Sequence, residues 1–130
     1  MKILIIDDSH IQRHFLREIL EEQGHEIFEA HSAYTALGDC DSLALCNLII
    51  TDMRMPDGSG LEFLQGYSRT SEEPVPVLVH SSAYVFKAGD GTNLNLPQDI
   101  PKFFSFAEFH RKSTNGEVDY ILDFIERNKR

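Results

Sequence analysis

The chain has 130 residues, of which 42% are hydrophobic and 25% are charged, and this length predicts one domain, residues 1–130, with an ordinary core. The formal net charge of −9 disfavours direct binding of nucleic acid, which requires a basic face. No apolar run approaches the roughly 20 residues that span a bilayer, and none near the start is long enough for a signal peptide. The two cysteines lack the spacing of a metal site, so we expect free thiols in a reducing cytoplasm.

Apolar runs that suit buried strands alternate with stretches that suit helices, which predicts an α/β fold with a parallel sheet covered by helices on both faces. In chain order, the predicted elements are a strand at Lys2–Ile6, a helix at Ser9–Gln23, a strand at His25–Glu29, a helix at Ser32–Leu37, a strand at Asn47–Thr51, a helix at Leu61–Tyr67, a strand at Val75–His80, a strand at Phe104–Arg111 and a helix at Glu117–Asn128.

In the first helix, an apolar stripe is predicted from Ile11, Phe15 and Ile19 together with the adjoining Leu16 and Leu20. The segment from residue 82 to residue 111 is less regular. Its middle part combines Gly, Pro, Asn and Gln without a helical period, so the helix that the alternation requires there is short or displaced.

Acidic side chains follow two of the predicted strands. Asp7 and Asp8 come directly after the first strand, and Asp52 comes directly after the strand Asn47–Thr51. Because the carboxyl ends of parallel strands line one crevice, we expect the carboxylates to converge if these strands are neighbours. Such a cluster needs a cation to offset its charge, and its oxygen ligands suit Mg²⁺. Taken singly, each site also fits a simpler role, as a helix cap for the acid pair and as the start of a turn for Asp52.

Two strings of residues, KILIIDDS at 2–9 and LIITDMRMPDGSGLEFL at 48–64, resemble the receiver domains of two-component response regulators. Their order and spacing are specific to that family. The resemblance covers essentially the whole chain, being strong up to Ser81 and patchy from Ser82 to Arg111. It implies a flavodoxin-like, doubly wound five-stranded parallel sheet in the order 2-1-3-4-5, here with an atypical fourth-helix region.

Carried over to this chain, the resemblance implies that Asp52 accepts a phosphoryl group from a histidine kinase or phosphotransfer protein. It implies a Mg²⁺ ion bound by Asp8 directly, by Asp7 through water, and by Asp52 and the backbone carbonyl of Arg54. The domain would then catalyse its own phosphorylation and dephosphorylation, mainly by supplying position and charge, without being a conventional enzyme.

The resemblance also implies a hydroxyl after the fourth strand and a lysine after the fifth. Ser81 fits the hydroxyl position, with Ser82 as the rival. Neither of the two candidate lysines, Lys112 and Lys102, is followed by the proline that is usual in the family. We favour Lys112, which has Phe109 at the position of the family's aromatic residue, because the strand before Lys102 would contain two prolines.

These expectations describe a stand-alone, chemotaxis-regulator-like phosphoacceptor in the cytoplasm that signals to a downstream protein partner and contacts neither nucleic acid nor membrane. One alternative is a pseudo-receiver that binds a partner without phosphorylation, which the irregular segment Ser82–Arg111 favours and the intact acid triad disfavours. Another is a phosphatase or flavin-binding protein of the same topology, but residues 7–9 lack the Gly- or hydroxyl-rich phosphate loop of those proteins. Four phenylalanines, at 103, 104, 106 and 109, are predicted to pack in the core or to form a partner surface.

Overall fold

A computed structural model of the chain describes residues 1–112 and 116–129, along which strands and helices alternate. The strands are β1 (Lys2–Ile6), β2 (Glu26–Ala30), β3 (Leu48–Thr51), β4 (Val77–Ser81), β5 (Val85–Lys87), β6 (Asn93–Asn95) and β7 (Ala107–Arg111). The helices are α1 (His10–Glu22), α2 (Ala33–Gly38), α3 (Cys40–Leu45), α4 (Gly60–Thr70), α5 (Leu96–Phe103) and α6 (Glu117–Arg127). Among these residues, no helix is both long and apolar enough to cross a bilayer.

Five of the strands form one parallel sheet in the order β2-β1-β3-β4-β7. This confirms the predicted order, with β7 as the fifth strand of the sheet. The chain runs to one side of β1 to form β2 and to the other side to form β3, β4 and β7. The switch in strand order therefore lies between β1 and β3, where ligands of open α/β sheets bind.

The sheet is covered on both faces, which explains the unbroken apolar runs of its central strands. Leu4 and Ile6 of β1 face a core cluster that α2, α4 and α5 complete. Ile3 and Ile5 face a second cluster that α1 and α6 complete. All four side chains are essentially inaccessible to solvent, so β1 is held in a fixed position from both sides.

Helix α1 turns a different face toward the sheet than the apolar spacing predicts. Leu16 and Leu20 are buried, as expected, but Ile11 is 81% exposed and Phe15 is 46% exposed. The prediction of one continuous apolar stripe was therefore wrong for Ile11 and Phe15, which leave an apolar patch on the surface.

Two arginines of α1 account for this orientation. Arg13 Nε donates to Glu29 Oε1 at 3.1 Å, and Arg17 also bonds to the Glu29 carboxylate. Arg13 Nη1 donates in addition to the backbone carbonyl of Asp7 at 2.6 Å. Because Arg13, Leu16, Arg17 and Leu20 share one helical face, these bonds fix that face against β1 and β2.

A second short helix, α3, follows α2 and was not predicted. Asp39 separates the two helices, and its Oδ1 accepts the backbone N–H of Ser42 at 3.1 Å, which caps the start of α3. None of the six residues of α3 is buried. The helix therefore has no apolar period for sequence analysis to detect.

The segment between β4 and β7 departs from the strand–helix alternation, as the sequence predicts. β5 and β6 pair antiparallel as a hairpin, with Val85 opposite Asn95, and the short helix α5 follows. The predicted strand Phe104–Arg111 begins only at Ala107, because the backbone N–H of Ala107 closes a turn onto the carbonyl of Phe104 at 2.9 Å.

The four phenylalanines of this region divide between the core and the surface. Phe104 is buried in the core cluster on the α4 and α5 side, and Phe106 and Phe109 pack against it while half-buried. Phe103 is 60% exposed. Core packing therefore accounts for three of the four rings.

Candidate functional site

Three carboxylates meet at the carboxyl ends of β1 and β3. Asp7 and Asp8 follow β1, Asp52 follows β3, and one oxygen of each carboxylate lies within 4.8 Å of the other two. The parallel register, which pairs Ile6 with Thr51, places the residues after the two strands side by side. Asp7 is buried, Asp52 is partly buried and Asp8 is exposed.

The backbone around the acids is tied to the sheet. The N–H of Asp52 donates to the carbonyl of Ile6 at 2.9 Å, which continues the β1–β3 ladder into the site. Asp52 Oδ1 accepts the N–H of Met53 at 2.7 Å, and Asp7 Oδ1 accepts the N–H of Ser9 at 2.9 Å. In each of these two carboxylates, one oxygen therefore accepts a hydrogen bond from a nearby backbone N–H.

The simpler role of Asp7 and Asp8 as helix caps does not account for the acid pair. The side chain of Ser9 caps α1 by accepting the N–H of Gln12 at 3.2 Å. Asp8 is exposed and makes no hydrogen bond with the described part of the chain. Its carboxylate thus has no structural task in the fold and is accessible to a ligand.

Lys112 lies between two of the acids. Its Nζ is 3.3 Å from Asp7 Oδ2 and 3.5 Å from Asp52 Oδ2. Its backbone N–H donates to the carbonyl of Ser81 at 2.7 Å, which anchors the lysine to the end of β4. Lys102, the other candidate, points its ammonium at the ring of Phe103, with 5.6 Å to the ring centroid. The structure therefore brings Lys112 and not Lys102 to the acidic cluster.

Ser81 and Ser82 differ sharply in their surroundings. Ser81 is the last residue of β4 and is only 1% exposed, whereas Ser82 is exposed. Ser81 follows Val79 by two residues, and Val79 is paired with Thr51 of β3, so Ser81 lies at the same edge of the sheet as Asp52. Its Oγ accepts the N–H of Ala83 at 3.4 Å.

The site carries more negative charge than its one lysine offsets. Burial raises the pKa of Asp52 above its ordinary value, the ammonium of Lys112 opposes that rise, and the charge of Asp7 adds to it. An oxygen-only donor set with surplus negative charge fits a hard divalent cation such as Mg²⁺. The residues present therefore suit the metal that the sequence predicts.

One side chain near the site takes a position that sequence reasoning did not foresee. The guanidinium of Arg54, a residue singled out for its backbone carbonyl, donates from Nη2 to the carbonyl of Val85 in β5 at 3.5 Å. The hairpin that receives this bond gives no clear signal in the sequence. The contact could therefore only be found in the structure.

Gly60 fixes the distance between Asp52 and the start of α4. Its N–H donates to the carbonyl of Met53 at 2.8 Å, and a Cβ atom at this position would lie 2.4 Å from the backbone oxygen of Asp52. We expect Gly60→Ala to lower the free energy of unfolding by about 3 kcal/mol, because the backbone must shift to relieve the overlap. Urea denaturation measures this change.

Gly89→Ala is the matched control, since a Cβ atom there meets nothing within 4 Å. We expect it to change the stability by less than about 0.5 kcal/mol. Equal effects of the two substitutions would mean that the close approach of Gly60 to Asp52 is not as described.

The chain was compared with known proteins. The family model of the response regulator receiver domain matches residues 3–113. The transcriptional regulatory protein KdpE of Escherichia coli K12 is 38% identical over 76 residues, which are 58% of this chain and 33% of KdpE. The two-component response regulator ORR13 of rice is 28% identical over 120 residues, which are 92% of this chain and 84% of ORR13. The chain thus spans a third of KdpE and most of ORR13.

Solved structures show the same fold. The response regulator TrrA of Thermotoga maritima, in complex with Mg²⁺ and BeF, has a TM-score of 0.72 and 24% identity, with 98% of each chain covered. The chemotaxis protein CheY4 of Vibrio cholerae has a TM-score of 0.74 and 22% identity, again with 98% of each chain covered. These matches confirm the predicted flavodoxin-like arrangement.

Proposed function

This chain belongs to the response regulator receiver domain family, and we propose that Asp52 accepts a phosphoryl group from the phosphohistidine of a histidine kinase or phosphotransfer protein in the cytoplasm. The observation that carries the proposal is the convergence of Asp7, Asp8 and Asp52 at the switch in strand order. Lys112, in contact with Asp7 and Asp52, supports it. A pseudo-receiver would have no use for an exposed carboxylate and a paired lysine at this place.

Two reactions follow from the proposal. In the first, an oxygen of the Asp52 carboxylate attacks phosphorus, the new O–P bond forms as the P–N bond to imidazole breaks, and the imidazole takes up a proton. In the second, water attacks the phosphorus of the aspartyl phosphate, which returns the carboxylate and releases inorganic phosphate and a proton. Both reactions depend mainly on position and on compensation of charge.

Each residue of the site has a defined task in this scheme. Asp7, Asp8, Asp52 and the carbonyl of Arg54 would hold Mg²⁺, which would supply positive charge to neutralise the phosphoryl oxygens. The ammonium of Lys112 stays next to Asp52 and compensates the charge that the phosphoryl group adds. The hydroxyl of Ser81 donates to a phosphoryl oxygen, which links phosphorylation to the end of β4.

Incubation with a small phosphodonor tests the proposal. We expect the intact mass of the protein to rise by one phosphoryl group when Mg²⁺ is present and to stay unchanged when a chelator replaces it. No added mass with Mg²⁺, under conditions in which circular dichroism shows a folded protein, would refute the proposal.

The exposed apolar patch of α1, Ile11 and Phe15, provides a docking surface for the phosphodonor protein. The patch begins three residues after Asp8, whose carboxylate belongs to the acidic cluster. Exposed apolar side chains next to an otherwise polar site are typical of contacts with another protein. A donor bound there can present its phosphohistidine to Asp52.

We expect Ile11→Ser to lower the rate of phosphotransfer from the protein donor about tenfold, the usual effect of removing one important interface side chain. Phosphorylation by the small phosphodonor should not change, because that reagent needs no docking surface. Leu45→Ser is the control, because Leu45 is also an exposed apolar side chain (51% exposed) but lies on a different helix, α3. It should leave the rate with the protein donor unchanged. An equal loss with both donors would show that Ile11 acts on the site and not on docking.

A further inference from the structure

We propose that the hairpin formed by β5 and β6 reports the phosphorylation of Asp52, and that the guanidinium of Arg54 is the latch that phosphorylation releases. The proposal rests on the proposed function, since it needs a phosphoryl group on Asp52. It adds a moving element and a side chain that controls it, in the segment where this chain departs from the regular alternation.

The hairpin is largely a self-contained unit. Its turn is closed by a bond from the N–H of Ala88 to the carbonyl of Thr92 at 2.8 Å, and Asp90 Oδ1 accepts the N–H of Thr92 at 2.9 Å. Phe86 and Leu94, the middle residues of its strands, and Ala88 in its turn pack against the core, and all three remain partly exposed. Few contacts therefore hold the hairpin to the sheet, and its attachment is easy to change.

Arg54 supplies the polar part of that attachment on the β5 side, whereas Asn95 at the end of β6 is hydrogen-bonded to Gln98 and Asp99 of α5. The bond from Nη2 to the carbonyl of Val85 is the only hydrogen bond that joins β5 to a residue outside the hairpin, within 1–112 and 116–129. Its length of 3.5 Å and its exposure to water make it weak. A stronger acceptor close by would therefore displace it.

Phosphorylation creates that acceptor. Arg54 follows Asp52 by two residues, at most about 7 Å along the chain, which an arginine side chain can span. A phosphoryl group carries nearly two negative charges and three acceptor oxygens, and it forms charge-assisted bonds to guanidinium that are about twice as strong as neutral ones. We expect the guanidinium to leave Val85 for the phosphoryl oxygens.

A second hydrogen bond connects the site to the segment just before the hairpin. The hydroxyl of Ser81 now accepts the N–H of Ala83, two residues before β5 begins. When Ser81 turns to a phosphoryl oxygen, that bond is lost as well. Both changes loosen the short segment that leads from β4 into the hairpin.

The hairpin also has room to move. A cleft of about 660 Å³ separates it from the loop after β3, with Phe86 and Lys87 on one side and Met55 and Pro56 on the other. Displacement of the hairpin would therefore open or close this cleft without disturbing the sheet. A change of this kind gives a downstream protein a surface that depends on phosphorylation.

Hydrogen–deuterium exchange with mass-spectrometric detection tests the latch. We expect amides of residues 84–95 to exchange about twofold faster after phosphorylation, which corresponds to the loss of one weak hydrogen bond. Arg54→Met, which keeps the length but not the charge, should show the faster exchange without phosphorylation. Arg69→Met, at an exposed arginine on α4, should behave like the wild type.

Intact mass, measured on the same samples, reports phosphorylation independently. Unchanged hairpin exchange in fully phosphorylated wild type would overturn the proposal. So would an unphosphorylated Arg54→Met variant whose hairpin exchanges like the wild type, and this comparison decides the role of Arg54 even if no phosphoryl group is taken up.

Discussion

Asp52→Asn is expected to take up no phosphoryl group from a small phosphodonor with Mg²⁺, whereas the wild type gains the mass of one. The amide keeps the size of the side chain but cannot act as the attacking oxygen. Asp57→Asn is the matched control, because Asp57 is an exposed carboxylate in the turn before α4. It should be phosphorylated like the wild type, and an Asp52→Asn variant that still gains the phosphoryl mass would show that another residue is the acceptor.

The Asp52→Asn variant should also be more stable than the wild type at neutral pH in the absence of metal. Burial raises the pKa of Asp52, with Lys112 opposing the rise, so the folded state holds the proton more tightly than the unfolded chain. The charged form of Asp52 therefore opposes folding once the pH exceeds this raised pKa. Removing the charge should add about 1 kcal/mol to the free energy of unfolding at pH 7.

This gain should disappear as the pH falls below the ordinary pKa of an aspartate, because Asp52 is then protonated in both states. Urea denaturation across this pH range measures the difference. An Asp52→Asn variant that is less stable than the wild type at pH 7 would mean that the attraction of Lys112 outweighs the burial of the carboxylate.

Lys112→Met is expected to slow phosphorylation by the small phosphodonor about 100-fold, the typical effect of removing one fixed group that stabilises developing negative charge. Without the ammonium, Asp7 and Asp52 lose the only cation that bonds to both within residues 1–112 and 116–129. The rate of mass gain at fixed donor and Mg²⁺ concentrations measures the effect.

Lys102→Met removes a cation of the same kind from a place outside the site, where it lies over the ring of Phe103. It should leave the rate unchanged. If Lys102→Met were the slow variant and Lys112→Met the normal one, the assignment of the lysine to the end of β7 would be wrong.

The part of the site that lies next to β1 and β3 could be predicted because its signals are local. The apolar runs 3–6 and 48–50 require strands that are buried on both faces, and Asp7, Asp8 and Asp52 follow those strands directly. The position of Lys112 could not be predicted from local signals, because it depends on where the last strand of the sheet ends. Turn-forming residues and two prolines in the stretch between β4 and β7 obscure that end in the sequence.

Other features could not be predicted because they depend on distant contacts. The rotation of α1 is fixed by bonds from Arg13 and Arg17 to Glu29, and the spacing of apolar residues carries no information about these pairs. The strands of the hairpin have three residues each, with one partly buried side chain in the middle of each strand. Such short elements have no periodicity of their own, and their place is set by Phe86 and Leu94 against the core.

Reduction of the phosphorylated protein with borohydride, followed by peptide mapping, tests the central claim most directly, because hydride converts an aspartyl phosphate to homoserine. Phosphoacceptance by Asp52 predicts homoserine at position 52 only in the sample treated with phosphodonor and Mg²⁺. It predicts unmodified aspartate at positions 7, 8 and 57. Homoserine at any of those three positions, with residue 52 unmodified in a protein that has gained the phosphoryl mass, would contradict it.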